Sequence, residues 1–209
     1  MEEIRFHGRG GQGTVLAAIA MAKAFFAAGF EVQTFPVFGS ERRGAPVEAY
    51  LRLDRSRILV RTNVYNPDQV VVLDAHLLSL VGVTRGLKPG GWILLNAPAL
   101  PGDLAPFEGF RLAWVDAAGL AIRHGLGSAS QPIVNTAMMG ALARMLGTPP
   151  LAAVAAAIRA EVPRKAEANV AAAEAAYEAV ALAGLVRDGR LAPEDAAASV
   201  AVGAGEVLR

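Results

Sequence analysis

Gly8-Arg9-Gly10-Gly11-Gln12-Gly13 decides how the rest of the chain is read, because it joins a short strand to a long apolar helix. Upstream, Ile4-Arg5-Phe6 alternates as a half-buried strand does. Downstream, residues 14–28 carry a single charge, Lys23. The glycines at 8, 10, 11 and 13 remove every Cβ that would hold a ligand off the backbone there. The first N–H groups of the following helix have no intrahelical partner and point back into the turn, a ready place for a phosphate or another anion.

Working outward, Gly29 is placed to end the helix as a left-handed cap, and Glu31-Val32-Gln33-Thr34-Phe35 alternates as a second strand. Pro36 is expected to stop that strand. Val37-Phe38-Gly39-Ser40-Glu41-Arg42-Arg43-Gly44-Ala45-Pro46 reads as a shaped loop with three charges, and Val47-Glu48-Ala49-Tyr50-Leu51-Arg52-Leu53 as a third strand with one wet face. Asp54-Arg55-Ser56 is a turn, and Ile58-Leu59-Val60 a return or edge strand. No helix fits between the second and third strands, which departs from a regular Rossmann alternation of strand and helix.

Val70-Val71-Val72-Leu73, Trp92-Ile93-Leu94-Leu95 and Leu112-Ala113-Trp114-Val115 are short apolar runs of the kind found in buried parallel strands. Each is followed by a polar residue: Asp74, Asn96 and Asp116. Ligands of open α/β sheets gather beyond the carboxyl ends of strands, whereas Asp and Asn are also preferred helix N-caps, so both roles are open at these positions. From Pro132 the pattern turns helical: residues 137–146 ended by Gly147, residues 151–160 after Pro149-Pro150, and residues 166–183 with Val170, Ala173, Tyr177, Val180 and Gly184 on one face. Small residues at Ala137, Gly140, Ala141 and Ala143 allow another backbone to approach closely. The expected architecture is a three-layer α/β/α domain over residues 1–186, with a mostly parallel, partly mixed sheet, Rossmann-like but irregular, and a helical C-terminal third. Residues 187–209 are expected to be a C-terminal tail, with Pro193 to Val200 as a candidate short helix.

Composition narrows the function. The 209 residues are enough for one α/β domain with a sizeable core. A net charge of +1 gives no field for nucleic acid. The longest apolar stretch is shorter than a membrane span, and the Met-Glu-Glu start lacks a basic signal-peptide region, so a cytoplasmic chain is expected. The absence of cysteine excludes disulfides and thiolate-held iron–sulfur clusters within the chain. His7, His76 and His124 have no partners at metal-ligand spacing. No nucleophile–base set or paired-carboxylate site is legible either, so no catalytic residue is assigned. The chain reads as a binding component of a larger assembly.

The glycine turn matches G-x-G-x-x-G, a weak dinucleotide signal when it stands alone. The acid expected after the second strand to hold a ribose hydroxyl is missing, since nothing acidic precedes Glu41. Arg42 and Arg43 beside it suit a 2′-phosphate, another phosphate-bearing cofactor, or the carboxylates of a partner subunit. A free-standing NADP-dependent oxidoreductase and a purely structural interaction subunit therefore remain as alternatives.

Taken together, Phe6-His7-Gly8-Arg9-Gly10-Gly11-Gln12-Gly13 and Phe35-Pro36-Val37-Phe38-Gly39-Ser40-Glu41-Arg42-Arg43-Gly44-Ala45-Pro46-Val47 resemble the gamma subunit of 2-oxoacid:ferredoxin oxidoreductases, particularly the pyruvate type. The resemblance extends through Asn135-Thr136-Ala137-Met138-Met139-Gly140-Ala141 and residues 165–177, and covers residues 4–185. The related indolepyruvate enzyme shares the Gly-Gly-Gln-Gly turn, but Glu-Arg-Arg-Gly-Ala-Pro is closer to the pyruvate type. The resemblance implies a heteromeric enzyme that converts a 2-oxoacid and coenzyme A to acyl-CoA, carbon dioxide and reduced ferredoxin. It places thiamine diphosphate and the iron–sulfur clusters in the alpha, beta and ferredoxin-like delta subunits, with ferredoxin as electron acceptor. This chain would contribute to assembly and to closure around coenzyme A, through Gly8, Arg9, Gly10, Gly11, Gln12 and Gly13 together with Glu41, Arg42, Arg43 and Gly44.

Overall fold

In a computed structural model, residues 1–37 and 44–192 are described. Glu41, Arg42, Arg43 and the expected helix from Pro193 to Val200 lie outside them. The strands are β1 (Glu2–Arg9), β2 (Glu31–Val37), β3 (Pro46–Asp54), β4 (Gln69–Val72), β5 (Trp92–Asn96), β6 (Arg111–Val115), the short pair β7 (Gly127–Ser128) and β8 (Gln131–Pro132), β9 (Ala181–Arg187) and β10 (Arg190–Leu191). The helices are α1 (Thr14–Ala27), α2 (Ala117–Arg123), α3 (Asn135–Leu146), α4 (Leu151–Glu161) and α5 (Ala166–Ala179).

Eight strands form one mixed sheet in the order β10-β9-β6-β5-β4-β1-β3-β2. Its four central strands, β6, β5, β4 and β1, run parallel, and their apolar runs are buried on both faces as such strands require. The flanks are antiparallel. As the missing helix implied, β2 and β3 form a hairpin. It returns beside β1, so β2 ends on the outer edge. That position explains why Pro36 does not end β2: an edge strand can carry a residue with no N–H to donate.

All five helices pack on one face, burying Ile4, Phe6, Leu51, Leu53, Val71 and Leu94 beneath them. The other face is covered differently from the expected helical layer. Its core of Val70, Val72, Ile93, Leu95 and Leu112 is closed by 3-10 turns at Ala75–Ser79 and Ala105–Phe107 and by irregular chain that brings in Val83, Leu87 and Leu104. The segments after β4 and β5 carry too many glycines and prolines to sustain α-helix. Among the described residues no helix is long and apolar enough to cross a membrane.

Local chemistry accounts for the helix boundaries. Gly29 takes φ 85° after α1, and Gly147 takes φ 68° at the end of α3. Asp116 caps α2 by accepting from the Gly119 N–H at 2.8 Å. Helices α3 and α5 approach closely at Gly140, where a Cβ would overlap the Ala173 carbonyl oxygen. Lys23 of α1 pairs with Glu161 of α4 across the same layer.

Three expectations change with tertiary context. The helix foreseen over residues 166–183 ends at Ala179, and Ala181–Arg187 is instead β9, antiparallel to β6. Ala-Leu-Ala-Gly-Leu-Val suits either element. The open edge of β6 decides, since joining it buries Val186 and packs Leu182 against the helical core. Ile58-Leu59-Val60 is not a strand. Nor is the polar face of β3 wet: Arg52 is wholly buried and Tyr50 nearly so.

Candidate functional site

The register of β1 with β3 makes Glu3, Arg5 and His7 direct neighbours of Arg52, Tyr50 and Glu48. Each alternation places its polar residues on the face away from the helices. There they form a buried network rather than a solvated surface. Arg52 donates to Glu3 Oε1 at 2.7 Å, to Gln33 Oε1 at 2.9 Å and to the Thr62 carbonyl at 2.6 Å. Arg5 donates through Nε to His7 Nε2 at 3.0 Å and through Nη2 to the carbonyls of Val83 and Arg85. Tyr50 donates its hydroxyl to Glu48 Oε2 at 2.6 Å, while Glu48 Oε1 lies 3.6 Å from His7 Nδ1. Burial lowers the His7 pKa to about 4; Glu48 opposes the shift and the neighbouring Arg5 charge adds to it. Neutral His7 therefore accepts from Arg5 at Nε2 and carries its proton on Nδ1, toward Glu48. Burial and the bond to Glu48 push the Tyr50 hydroxyl pKa up, so it stays protonated.

Beyond this network, at the carboxyl end of β1, lies the glycine turn. Gln12 folds back on it: its N–H donates to the Arg9 carbonyl, and its Oε1 accepts from the Arg9 N–H at 2.8 Å. Arg9 donates through Nε to Asp74 Oδ2 at 2.6 Å and through Nη1 to the Gly44 carbonyl at 3.1 Å. Gln12 Nε2 reaches the same Asp74 oxygen at 3.3 Å. Burial opposes ionisation of Asp74, but the hydrogen bonds from Arg9 and His76 outweigh it and hold the carboxyl below its ordinary range. Asp74 also caps the 3-10 turn after β4 through the His76 N–H. Asp116 and Asn96 act as caps as well, Asn96 accepting from the Ala118 N–H. The ambiguity at these strand ends resolves toward structure.

The two loops singled out in the sequence do meet at their described ends. The Gly10 N–H donates to the Ala45 carbonyl at 2.9 Å, and the Gly44 N–H donates to the Gly10 carbonyl at 3.1 Å. The glycines divide by role. A Cβ on Gly8 would strike Thr14 Oγ1, and one on Gly13 (φ 76°) would strike the Asn135 amide, so packing demands both. A Cβ on Gly11 (φ 94°) would meet nothing within 4 Å among the described residues. The N-cap of α1, Gly13, has no side chain with which to cap it, and the first turn holds no acidic residue. Arg9 and Gln12 are spent on Asp74 and the loop.

The Arg5-His7-Glu48-Tyr50 network and the part played by Asn135 emerge only in the folded chain. Polar residues in phase on two strands were the signal for the first; nothing local announces the second. Because β3 stands between β1 and β2, the second strand is not the parallel neighbour that supplies a ribose-binding acid in a Rossmann site, and the NADP alternative loses its geometry. Among the described residues no cluster of His, Asp or Glu is suited to hold a metal.

Residues 3–179 match the family model described as pyruvate ferredoxin/flavodoxin oxidoreductase. The pyruvate/ketoisovalerate oxidoreductases common subunit gamma of Thermococcus kodakarensis is 48% identical over 163 residues, covering 76% of this chain and 85% of that one. Pyruvate synthase subunit PorC of Methanothermobacter thermautotrophicus is 46% identical over 183 residues, covering 86% and 96%. The crystal structure of pyruvate oxidoreductase subunit PORC from Thermotoga maritima superposes with a TM-score of 0.72 at 34% identity, covering 86% of this chain and 97% of that one. With the family model matched over residues 3–179 and 85–97% of the length of these relatives covered, the chain belongs to the pyruvate ferredoxin/flavodoxin oxidoreductase family, as a gamma-type subunit.

Proposed function

We propose that this chain works within a multisubunit 2-oxoacid:ferredoxin oxidoreductase of the pyruvate type, where it helps assemble the complex and holds the phosphate end of coenzyme A. Thiamine diphosphate and the iron–sulfur clusters belong to the alpha, beta and delta partners; a chain without cysteine has no thiolate for a cluster. The observation that carries the coenzyme contact is the bare start of α1. Its N-cap, Gly13, offers no side-chain cap and its first turn no acid, beside Gly11, where an added Cβ would meet nothing within 4 Å among the described residues. A helix N-terminus in that condition attracts anions through its free N–H groups and its dipole. A phosphate there gains roughly 0.3–1 kcal/mol when exposed and up to about 2 when partly buried, so neighbouring subunits must supply the rest of the affinity. Arg42 and Arg43, outside the described residues, are the side chains of this chain proposed to add to it.

Steady-state kinetics of the assembled enzyme test this reading. Gly11→Asp puts a carboxylate where the phosphate would lie, and Arg42→Ala with Arg43→Ala removes the neighbouring cations. Both variants should raise KM for coenzyme A while kcat and assembly hold. Unchanged KM in normally assembled complexes would sink the contact. A glycine turn that serves packing alone is favoured at two of its positions, where Gly8 and Gly13 abut Thr14 and Asn135, and that outcome would establish it.

A further inference from the structure

Arg57-Ile58-Leu59-Val60-Arg61 has the composition of a strand and no strand to pair with. Among the described residues, none of its backbone groups is hydrogen-bonded to another backbone group, and neither Arg57 nor Arg61 has an ion-pair or hydrogen-bond partner. Leu59 is 75% exposed and Val60 38%, while Ile58 is half-buried. The flanks, by contrast, are anchored. Arg55 lies 3.8 Å over the Phe30 ring, and buried Arg52 grips the Thr62 carbonyl. The segment is thus held at both ends and bare in the middle. In extended backbone Arg57, Leu59 and Arg61 share one face, an apolar centre between two cations spread over roughly 13 Å.

We propose that residues 57–61 dock in extended form on another subunit of the oxidoreductase, with Leu59 entering an apolar pocket and Arg57 and Arg61 meeting carboxylates at its rim. This rests on the reading above that the chain works in a multisubunit complex. Two unpaired arginines with no acid between them call for an acidic partner surface. A second copy of this chain fits poorly. Twofold pairing of the segment with itself sets Arg57 opposite Arg61, and like charges directly across a strand pair repel. Bare strand-forming backbone is also what a partner's sheet edge accepts.

The absence of cysteine makes Leu59→Cys a single reporter thiol on this chain. Maleimide should label it readily in the isolated full chain and much more slowly in the assembled complex. The variant Arg57→Glu/Leu59→Asp/Arg61→Glu changes only exposed, unpartnered side chains, so it should keep the wild-type thermal midpoint. Its binding to the other subunits should be weakened about thirtyfold, the loss expected of a central contact. Equal labelling in both states, or wild-type affinity of the triple variant, overturns the docking and leaves the subunit reading intact. If the wild-type chain itself fails to join the other subunits, both fall. An isolated chain that dimerises through these residues, becoming monomeric in the variant, makes a second copy the occupant and overturns the proposal.

Discussion

His7 should make the chain lose stability in mild acid, and by a definite amount. Its side chain is 2% exposed, bonded to Arg5 through Nε2 and facing Glu48 through Nδ1. Burial brings its pKa from 6.5 to about 4 in the folded state. Between those values the unfolded chain binds a proton that the folded chain refuses, so stability rises with pH there and falls on acidification. The whole gap is worth about 3 kcal/mol, of which about 2 kcal/mol is gone by about pH 5. His7→Gln keeps an acceptor for Arg5 and removes the titration. Urea unfolding of the full wild-type and variant chains at about pH 7 and about pH 5 measures the difference. The wild type should lose about 2 kcal/mol more than the variant. Other groups drop out of the comparison. Asp74, with its lowered pKa, contributes stability that is lost only below the ordinary carboxyl range, and Glu2, whose pKa burial raises, titrates alike in both proteins. Equal losses in the two proteins would refute the assignment of a buried neutral His7.

Gly140→Ala forces a methyl group into the Ala173 backbone where α3 meets α5. It should lower stability by about 1–3 kcal/mol, read as a drop in the thermal midpoint, and an unchanged midpoint would mean that the helices lie further apart. Arg52→Met leaves the Glu3 carboxylate, Gln33 and the Thr62 carbonyl without their buried donor. A loss of about 3–5 kcal/mol in denaturant unfolding is expected, and near-wild-type stability would show that Glu3 finds water instead.

Much of this molecule was legible because its signals are local. The glycine turn, the helix Thr14–Ala27 with Gly29 after it, the Gly147 stop and the apolar runs of β4, β5 and β6 follow from φ preferences and hydrophobic periodicity within a few residues. The missing helix before β3 was enough to foresee a departure from the Rossmann pattern. The candidate site was legible as two loops but not in its division of labour. Nothing near Gly13 announces Asn135, and nothing near Arg9 announces that Asp74 will claim its guanidinium across 65 positions.

By itself, then, the sequence determined the glycine turn with its helix, the central apolar strands, the absence of any thiolate ligand, and a helix start without a capping side chain at Gly13. The tertiary structure decided which alternating polar residues are buried, because Arg52 and His7 could leave water only when β1 and β3 brought donors and acceptors into register. It also decided that residues 181–187 pair as a strand while the strand-like residues 57–61 stay bare. Periodicity reports which face of an element is apolar. What lies against that face, or whether anything does, depends on residues far along the chain and on the chains around it.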